Sequence, residues 1–135
     1  SGNLSGDYEY KISFKVIHES SITEVMNYPN PFSTSTRFVF TLTGSVLPDE
    51  MLIQIMNISG RVVREITADE LGQLRIGRNI TDFAWDGKDN YGDLLANGVY
   101  LYRVTARSGG QEIKHLESGA DPYFHKGLGK LYILR

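Results

Sequence analysis

Acidic and amide side chains crowd the stretch from residue 86 to residue 93, which makes it the first candidate for chemistry. The side chains that carry oxygen there, and that could bind calcium, are those of Asp86, Asp89, Asn90 and Asp93. The spacing argues against an EF-hand-like loop, because Lys88 and Tyr91 occupy positions that need a ligand and a turn-forming glycine. Asp and Asn also favour tight turns. We therefore predict a turn between strands, with calcium as the less favoured alternative.

Residue patterns typical of catalysis are missing from the sequence. No pair of the three histidines, His18, His115 and His125, has the spacing of a zinc site. The chain has no cysteine, no Gly-x-Ser-x-Gly elbow and no phosphate-binding loop. We expect a protein that is not an enzyme and that needs no cofactor.

Charge and hydropathy narrow the classes of partner. The formal net charge of −2 gives no electrostatic basis for binding nucleic acid or an anionic membrane. No apolar run reaches the length of about eighteen residues that a membrane-spanning helix needs. Trp85, Tyr100 and Tyr102 could stack on a sugar if they pointed outward, but their alternation with polar residues favours the core.

The elements that must position these residues are short strands with a period of two. Alternation over 8–16 predicts a strand that, with the linker up to residue 20, ends a preceding domain, and residues 21–135 form the domain of interest. Phe38, Phe40 and Leu42 share one face of the next clear strand. Residues 51–66 predict a hairpin with Gly60 at positive φ.

The second half of the chain continues the same pattern. A Thr-x-x-Glu capping box at Thr67 predicts a single helical turn. Phe83 and Trp85 are predicted to share one face of a strand that starts near residue 79. A strand is predicted over 99–106, then a segment at 111–117 that is a strand or a short helix, an irregular loop over 118–129, and a last strand over 130–135 buried on both faces. About eight strands with almost no helix predict an all-β sandwich.

Two prolines, Pro29 and Pro31, dictate the backbone just after residue 28. Each fixes φ, lacks an N–H and pushes the preceding residue toward extended geometry. Such a segment belongs on a sheet edge or at a crossing between two sheets, and we expect Tyr28 and Phe32 to anchor it in the core.

Four motifs in order resemble one known pattern, over roughly residues 25–135. They are Tyr28-Pro29-Asn30-Pro31-Phe32, Asn57-Ile58-Ser59-Gly60-Arg61-Val62-Val63, Trp85-Asp86-Gly87-Lys88-Asp89 and Asn97-Gly98-Val99-Tyr100-Leu101-Tyr102-Arg103. The pattern resembles the C-terminal sorting domains of type IX secretion and the related immunoglobulin-like domain of flagellar hook-capping proteins. It is also similar to the tail of gingipain-related cysteine peptidases that act as type IX sortases.

This resemblance implies an immunoglobulin-like antiparallel β-sandwich of about seven or eight strands with at most one short helical turn. It implies a non-catalytic C-terminal module of a larger exported bacterial protein, secreted or held at the outer-membrane surface after crossing the periplasm. The implied partners are outer-membrane secretion or attachment proteins and the upstream domain of the same polypeptide.

The terminal hairpin would carry much of the signal, and with the motifs above it gives a set of recognition residues: Pro29, Asn30, Pro31, Phe32, Gly60, Gly98, Val99, Tyr100, Lys130 and Arg135. We expect the strand that ends at Arg135 to present a free edge to the partner. One departure from the family pattern is the insertion over 108–129. The alternatives are a structural or assembly domain packed on an upstream domain and, less favoured, a calcium- or carbohydrate-binding module.

Overall fold

The fold, seen in a computed structural model, consists of two β-sheets that pack face to face. The structure describes residues 20–116, 124–125 and 128–135. The strand predicted over 8–16 and most of the loop predicted over 118–129 lie outside these ranges. The division of the chain at residue 20 stays a prediction.

Ten strands and one helical turn make up the described part of the chain. In order they are β1 (Ser21–Tyr28), β2 (Arg37–Thr43), β3 (Glu50–Met56), β4 (Val62–Thr67), α1 (Ala68–Leu71), β5 (Gly77–Ile80), β6 (Gly98–Ser108), β7 (Gln111–Glu112), β8 (Lys114–Leu116), β9 (Phe124–His125) and β10 (Leu128–Ile133). None of the helices there is long and apolar enough to cross a membrane.

The strands form an immunoglobulin-like sandwich, which confirms the predicted all-β class. The first sheet has the order β5-β2-β1-β8 and the second the order β4-β3-β6-β10-β9, with β7 added beside β6. Neighbouring strands are antiparallel except β1 and β8, which are parallel. The insertion after β6 therefore extends both sheets, and it contributes β8 to the first and β9 to the second. The prediction of an irregular loop was wrong at β9 and at the start of β10.

Large side chains from the inner faces of both sheets fill the core. Those with at most 2% of their surface exposed include Ile22, Phe32, Phe38, Phe40, Leu42, Ile53, Ile55, Ile66, Leu71, Trp85, Tyr102, Leu131 and Ile133. Burying each one contributes roughly 1.5–3 kcal/mol. The ring of Phe38 meets that of Tyr102 edge to face at 5.3 Å between centroids. Trp85, Tyr100 and Tyr102 are all buried, so they form no outward platform for a sugar.

The hairpin and the helical turn both form where the sequence predicted them. β3 and β4 pair antiparallel, and Gly60 between them has a φ of +89°, which a residue with a Cβ rarely adopts. The Asn57 side chain holds this turn by accepting from the N–H groups of Ser59 and Arg61, both at 3.0 Å. In α1, the Glu70 carboxylate accepts from the Thr67 N–H at 3.3 Å.

One strand prediction needs correction, and one that was left open is decided. β5 ends at Ile80 rather than continuing to Trp85, because the chain leaves the sheet there and the Asp82 N–H donates to the Leu71 carbonyl at 3.3 Å. Trp85 instead pairs with Thr36 in an isolated bridge, and Phe83 is only half-buried. The segment Gln111–Leu116 resolves as two short strands.

The last strand is buried on one face, not on both as predicted. Leu131 and Ile133 are fully buried, whereas Tyr132 is half-buried and Leu134 is 56% exposed. β10 belongs to one of the two sheets of a two-layer sandwich. The other sheet can cover only one face of such a strand, so the opposite face stays partly exposed.

Candidate interaction site around the terminal strand

The proline segment carries the chain from one sheet to the other. β1 ends at Tyr28 in the first sheet, and Phe32 then forms a parallel bridge to Ile133 of β10 in the second. The Thr36 hydroxyl donates to the Pro29 carbonyl at 2.8 Å and so holds the segment at the crossing. The predicted position, at an edge and at a crossing, is confirmed.

Only one of the two expected anchors is in the core. Phe32 is 2% exposed and its ring lies 5.6 Å from that of Trp85, tilted by 55°. Tyr28 is 69% exposed, so the prediction for it was wrong. β1 contains a bulge between Thr23 and Met26, after which Asn27 points inward and Tyr28 therefore points to solvent.

Asn30 closes the outer side of β10 with its side chain. Its Nδ2 donates to the Lys130 carbonyl at 3.0 Å, and its Oδ1 accepts from the Tyr132 N–H at 3.0 Å. Pro29 and Pro31 have no N–H to offer, and the amide side chain between them supplies both a donor and an acceptor. It thus takes the place of a paired strand residue.

Phe32 continues this closure with its backbone. Its N–H donates to the Tyr132 carbonyl at 3.0 Å, and its carbonyl accepts from the Leu134 N–H at 2.9 Å. β9 pairs with Leu128 and Gly129. The terminal strand is therefore not the free edge that we expected from the sequence, because the Lys130 carbonyl, both backbone groups of Tyr132 and the Leu134 N–H already have partners inside the domain.

The other side of β10 pairs with β6 and brings the predicted motif residues together. Gly98, Val99 and Tyr100 lie opposite Ile133, Tyr132 and Leu131. One continuous region around the terminal strand thus contains Pro29–Phe32, Gly98–Tyr100, Lys130 and Arg135. Gly60 lies apart from it, in the turn between β3 and β4. We call this region, without Gly60, the terminal-strand site.

The Arg135 side chain forms hydrogen bonds with the acidic loop of residues 86–93 and with the residue that follows it closely, Leu95. Its Nη1 donates to the Leu95 carbonyl at 2.6 Å, and its Nη2 donates to the carbonyls of Asp86 and Gly87 at 3.2 and 3.3 Å. Gly87 has a φ of +80°, and the guanidinium occupies the place where its Cβ would be. The charge of Arg135 is thus directed at backbone carbonyls of its own domain.

Asn97 holds the backbone of the same residue. Its Oδ1 accepts from the Arg135 N–H at 3.0 Å and its Nδ2 donates to the Arg135 carbonyl at 3.2 Å. Asn97 and Asn30 thus each accept one backbone hydrogen bond and donate another, Asn30 to two residues of β10 and Asn97 to one residue just after it. Sequence reasoning missed Asn97, because an Asn-Gly pair is first of all a turn signal.

The acidic loop directs its side chains at its own backbone. Asp89 Oδ1 accepts from the N–H groups of Tyr91 and Asp93, both at 2.9 Å, and Asp86 Oδ1 accepts from that of Lys88 at 3.2 Å. Across residues 20–116, 124–125 and 128–135 no three His, Asp or Glu side chains are grouped so that they could hold a metal ion. The geometry is that of the predicted turn.

Asn90 of this loop has a separate role at the edge of β4. Its Oδ1 accepts from the Glu65 N–H at 3.1 Å, and its own N–H donates to the Val63 carbonyl at 3.0 Å. An asparagine side chain thus bonds the outer side of β4, and another, Asn30, bonds the outer side of β10 beyond the residues that pair with β9. Neither role could be read from the sequence, since each joins residues more than twenty positions apart.

Two ionisable groups near these elements have displaced pKa values. Burial raises the pKa of Tyr100 above 10.0, and the charge of Arg135 opposes this in part. Its hydroxyl, which donates to the Ala96 carbonyl at 2.8 Å, therefore stays protonated. The hydrogen bond from Arg64, at 2.7 Å, lowers the pKa of Glu70 below 4.5 despite partial desolvation.

The model of the FlgD Ig-like domain matches residues 30–110. The chain belongs to this family. The match begins at Asn30 and includes Gly98–Tyr100, but it ends before β10, so the terminal strand lies beyond the matched residues.

Two curated relatives carry the same name. The basal-body rod modification protein FlgD of Salmonella typhimurium is 38% identical over 65 residues, which cover 48% of this chain and 26% of that protein, and the FlgD of Salmonella typhi gives the same values. The match spans only about a quarter of the length of these relatives.

A solved structure shares the fold. The crystal structure of dimeric latent PorU from Porphyromonas gingivalis aligns with 85% of this chain and 9% of its own, with a TM-score of 0.57 and 20% identity. At this level of identity the likeness concerns the fold alone.

Proposed function

We propose that this FlgD Ig-like domain is a non-catalytic module of a larger exported bacterial protein, recognised as a folded unit for type IX secretion or for attachment to the cell surface. The observation that carries the proposal is the assembly of separate sequence motifs, 29–32, 98–100 and 130–135, into one terminal-strand site. The matching relatives, which are basal-body rod modification proteins, support a place in the cell envelope.

The geometry changes how recognition would work. Strand addition to β10 needs a free row of backbone groups, and Asn30, Phe32 and β9 occupy that row. The partner, an outer-membrane secretion or attachment protein, would instead read the surface of the folded site, including the exposed Lys130 side chain and Leu134.

Export of a fused reporter tests the proposal. Residues 22–135 are fused to a reporter in a bacterium with type IX secretion, and the reporter is expected outside the cell. The variant Lys130→Ala/Leu134→Ser alters the exposed side chains of the site without touching its backbone bonds, and Tyr91→Ser is the control because Tyr91 is 90% exposed elsewhere. Export that fails only in the first variant supports the proposal; a reporter that stays in the periplasm in every case contradicts it.

A second candidate is a structural or assembly domain, which the match to the FlgD Ig-like domain favours. In this case the domain packs on an upstream domain of the same polypeptide or within an assembly and carries no export signal. It predicts that the 22–135 fusion folds and is not exported, while deletion of these residues from the parent protein impairs its assembly or stability.

A further inference from the structure

The outer face of the first sheet carries an apolar groove of about 280 Å³. Its floor is a row across three strands, in which Met26 of β1 lies opposite Val39 of β2 and Val39 opposite Ile80 of β5. Tyr28, Arg37 and Arg78 complete the lining. The groove lies in the sheet opposite to the terminal-strand site.

β5 borders this groove and leaves its outer side open. The Thr81 N–H donates to the Phe38 carbonyl of β2 at 3.0 Å. Backbone groups alternate in direction along a strand, so Thr81 and the residue two positions before it direct theirs at β2. The N–H and C=O groups of Arg78 and Ile80 therefore point away from the sheet. Among the described strands, β5 pairs with β2 alone.

Two cations stand at the groove without an acidic neighbour in its lining. The Arg37 guanidinium reaches from β2 to the end of β5, where Nη1 donates to the Thr81 carbonyl at 3.0 Å. Arg78 lies on β5 itself, on the same face as Ile80. In the described part of the chain the ion pairs are Arg64–Glu70 and Lys88–Asp86, and neither of them involves these two arginines.

We propose that β5 binds an extended peptide segment as an added strand, with the pattern acidic–x–apolar–x–acidic. Such a strand would lie about 5 Å from β5, and its alternate side chains, spaced about 6–7 Å apart, would face the groove. The apolar residue would lie beside Ile80, which is 59% exposed, and the acidic ones beside Arg78 and beside the Arg37 guanidinium.

The register on β5 sets this pattern. Val39 is opposite Ile80, and the Arg37 guanidinium is bonded to the Thr81 carbonyl just beyond the end of β5, while Arg78 is two positions before Ile80. The two cations therefore lie on either side of the exposed apolar side chain along the strand. An unsealed row of backbone groups, an apolar floor and two flanking cations are what a peptide with that pattern requires.

Titration of the 135-residue chain with a labelled Glu-Thr-Val-Thr-Glu peptide tests the proposal, followed by fluorescence anisotropy and by amide hydrogen exchange. We expect saturable binding and slower exchange of the Arg78 and Ile80 amides. A Lys-Thr-Val-Thr-Lys peptide is the matched control and should not bind. The double variant Arg37→Gln/Arg78→Gln should weaken binding about tenfold, as expected for two exposed ion pairs.

Backbone variants separate strand addition from attraction between charges. Ile80→Pro removes an outward N–H, and Ile80→Glu keeps the backbone but adds a charge that repels the acidic peptide; both should abolish binding. Ile58→Glu is the control, because Ile58 is 72% exposed outside the groove. Equal binding of both peptides, unchanged binding in Ile80→Glu, or concentration-dependent self-association that Ile80→Glu removes would overturn the proposal, the last by identifying a second copy of the chain as the occupant.

Discussion

The two sheets end in different ways, and the contrast is clearest between β10 and β5. The outer side of β10 is closed by Asn30, Phe32 and β9, so that its backbone groups are paired within the domain. β5 borders an apolar groove, and among the described strands its only partner is β2. Exposed strand edges invite association, and proteins commonly close those that have no partner to bind. The difference therefore separates an edge that serves the fold from one that is available for binding.

Loss of the last strand should have the largest effect. Removal of residues 130–135 takes away Leu131 and Ile133, both fully buried, together with the bonds to Asn30, Phe32 and Asn97. Losing one such aliphatic side chain costs about 2–5 kcal/mol, so losing both approaches the whole stability of a domain of this size. The truncated chain should be unfolded by circular dichroism and by proton NMR. A cooperative thermal transition in it would show that the closed edge is dispensable for folding.

The two aromatic residues that flank the prolines should differ sharply. Phe32→Ala should cost about 3–5 kcal/mol, because the ring is buried against Trp85. Tyr28→Ala, at an exposed position, should change the free energy of unfolding by less than about 0.5 kcal/mol. Urea unfolding measures both. Similar costs would mean that Tyr28 is an anchor as well.

Opening the closed edge by a single side chain should have a moderate effect. Asn30→Ala leaves the Tyr132 N–H and the Lys130 carbonyl without their partner, and should cost about 1–3 kcal/mol. The Tyr132 amide should also exchange faster with solvent. Asn30→Asp is the matched comparison, since it keeps the acceptor for Tyr132 and loses the donor to Lys130. If neither variant speeds exchange at Tyr132, Asn30 does not close the edge.

Loosening the chain end should have a smaller effect. Arg135→Ala removes three side-chain hydrogen bonds, but the side chain is exposed and water can replace it, so about 1 kcal/mol is expected. The backbone bonds to Asn97 remain. Amide exchange in the Asp86–Asp93 loop is the more sensitive readout, and it should rise. Arg135→Lys should restore little, because an ammonium lacks the fork geometry.

The smallest expected change in stability is the pH dependence of the Arg64–Glu70 ion pair. The pKa of Glu70 is lowered in the folded state, so its bond to Arg64 stabilises the protein above the unfolded pKa near 4.5 and is lost as pH falls through the folded value. The pair is on the surface, so less than about 1 kcal/mol is expected. Comparing melting temperatures of the parent and Glu70→Gln between pH 6 and pH 3 measures it. A difference that does not shrink with acid would contradict this assignment.

Local patterns were sufficient for much of the fold. Alternation placed the aromatic face of β2, the β3–β4 hairpin and the core side of β6, because side chains in a strand alternate whatever surrounds it. The two prolines indicated a sheet edge or a crossing between sheets, since a missing N–H restricts position directly. These features depend on residues that are neighbours in the sequence, so they can be predicted from it.

What only the tertiary structure decided depends on residues far apart in the chain. Asn30 lies 100 residues from Lys130 and Arg135 lies 49 from Asp86, and an amide or a guanidinium that bonds a distant backbone has no local signature. The same holds for the groove, where Met26, Val39 and Ile80 meet across three strands. The sequence by itself determined a β-sandwich with a constrained entry at Pro29 and Pro31. Pairing between distant strands decided that this entry seals the terminal edge and that β5, among the described strands, lies at the edge of the first sheet beside β2.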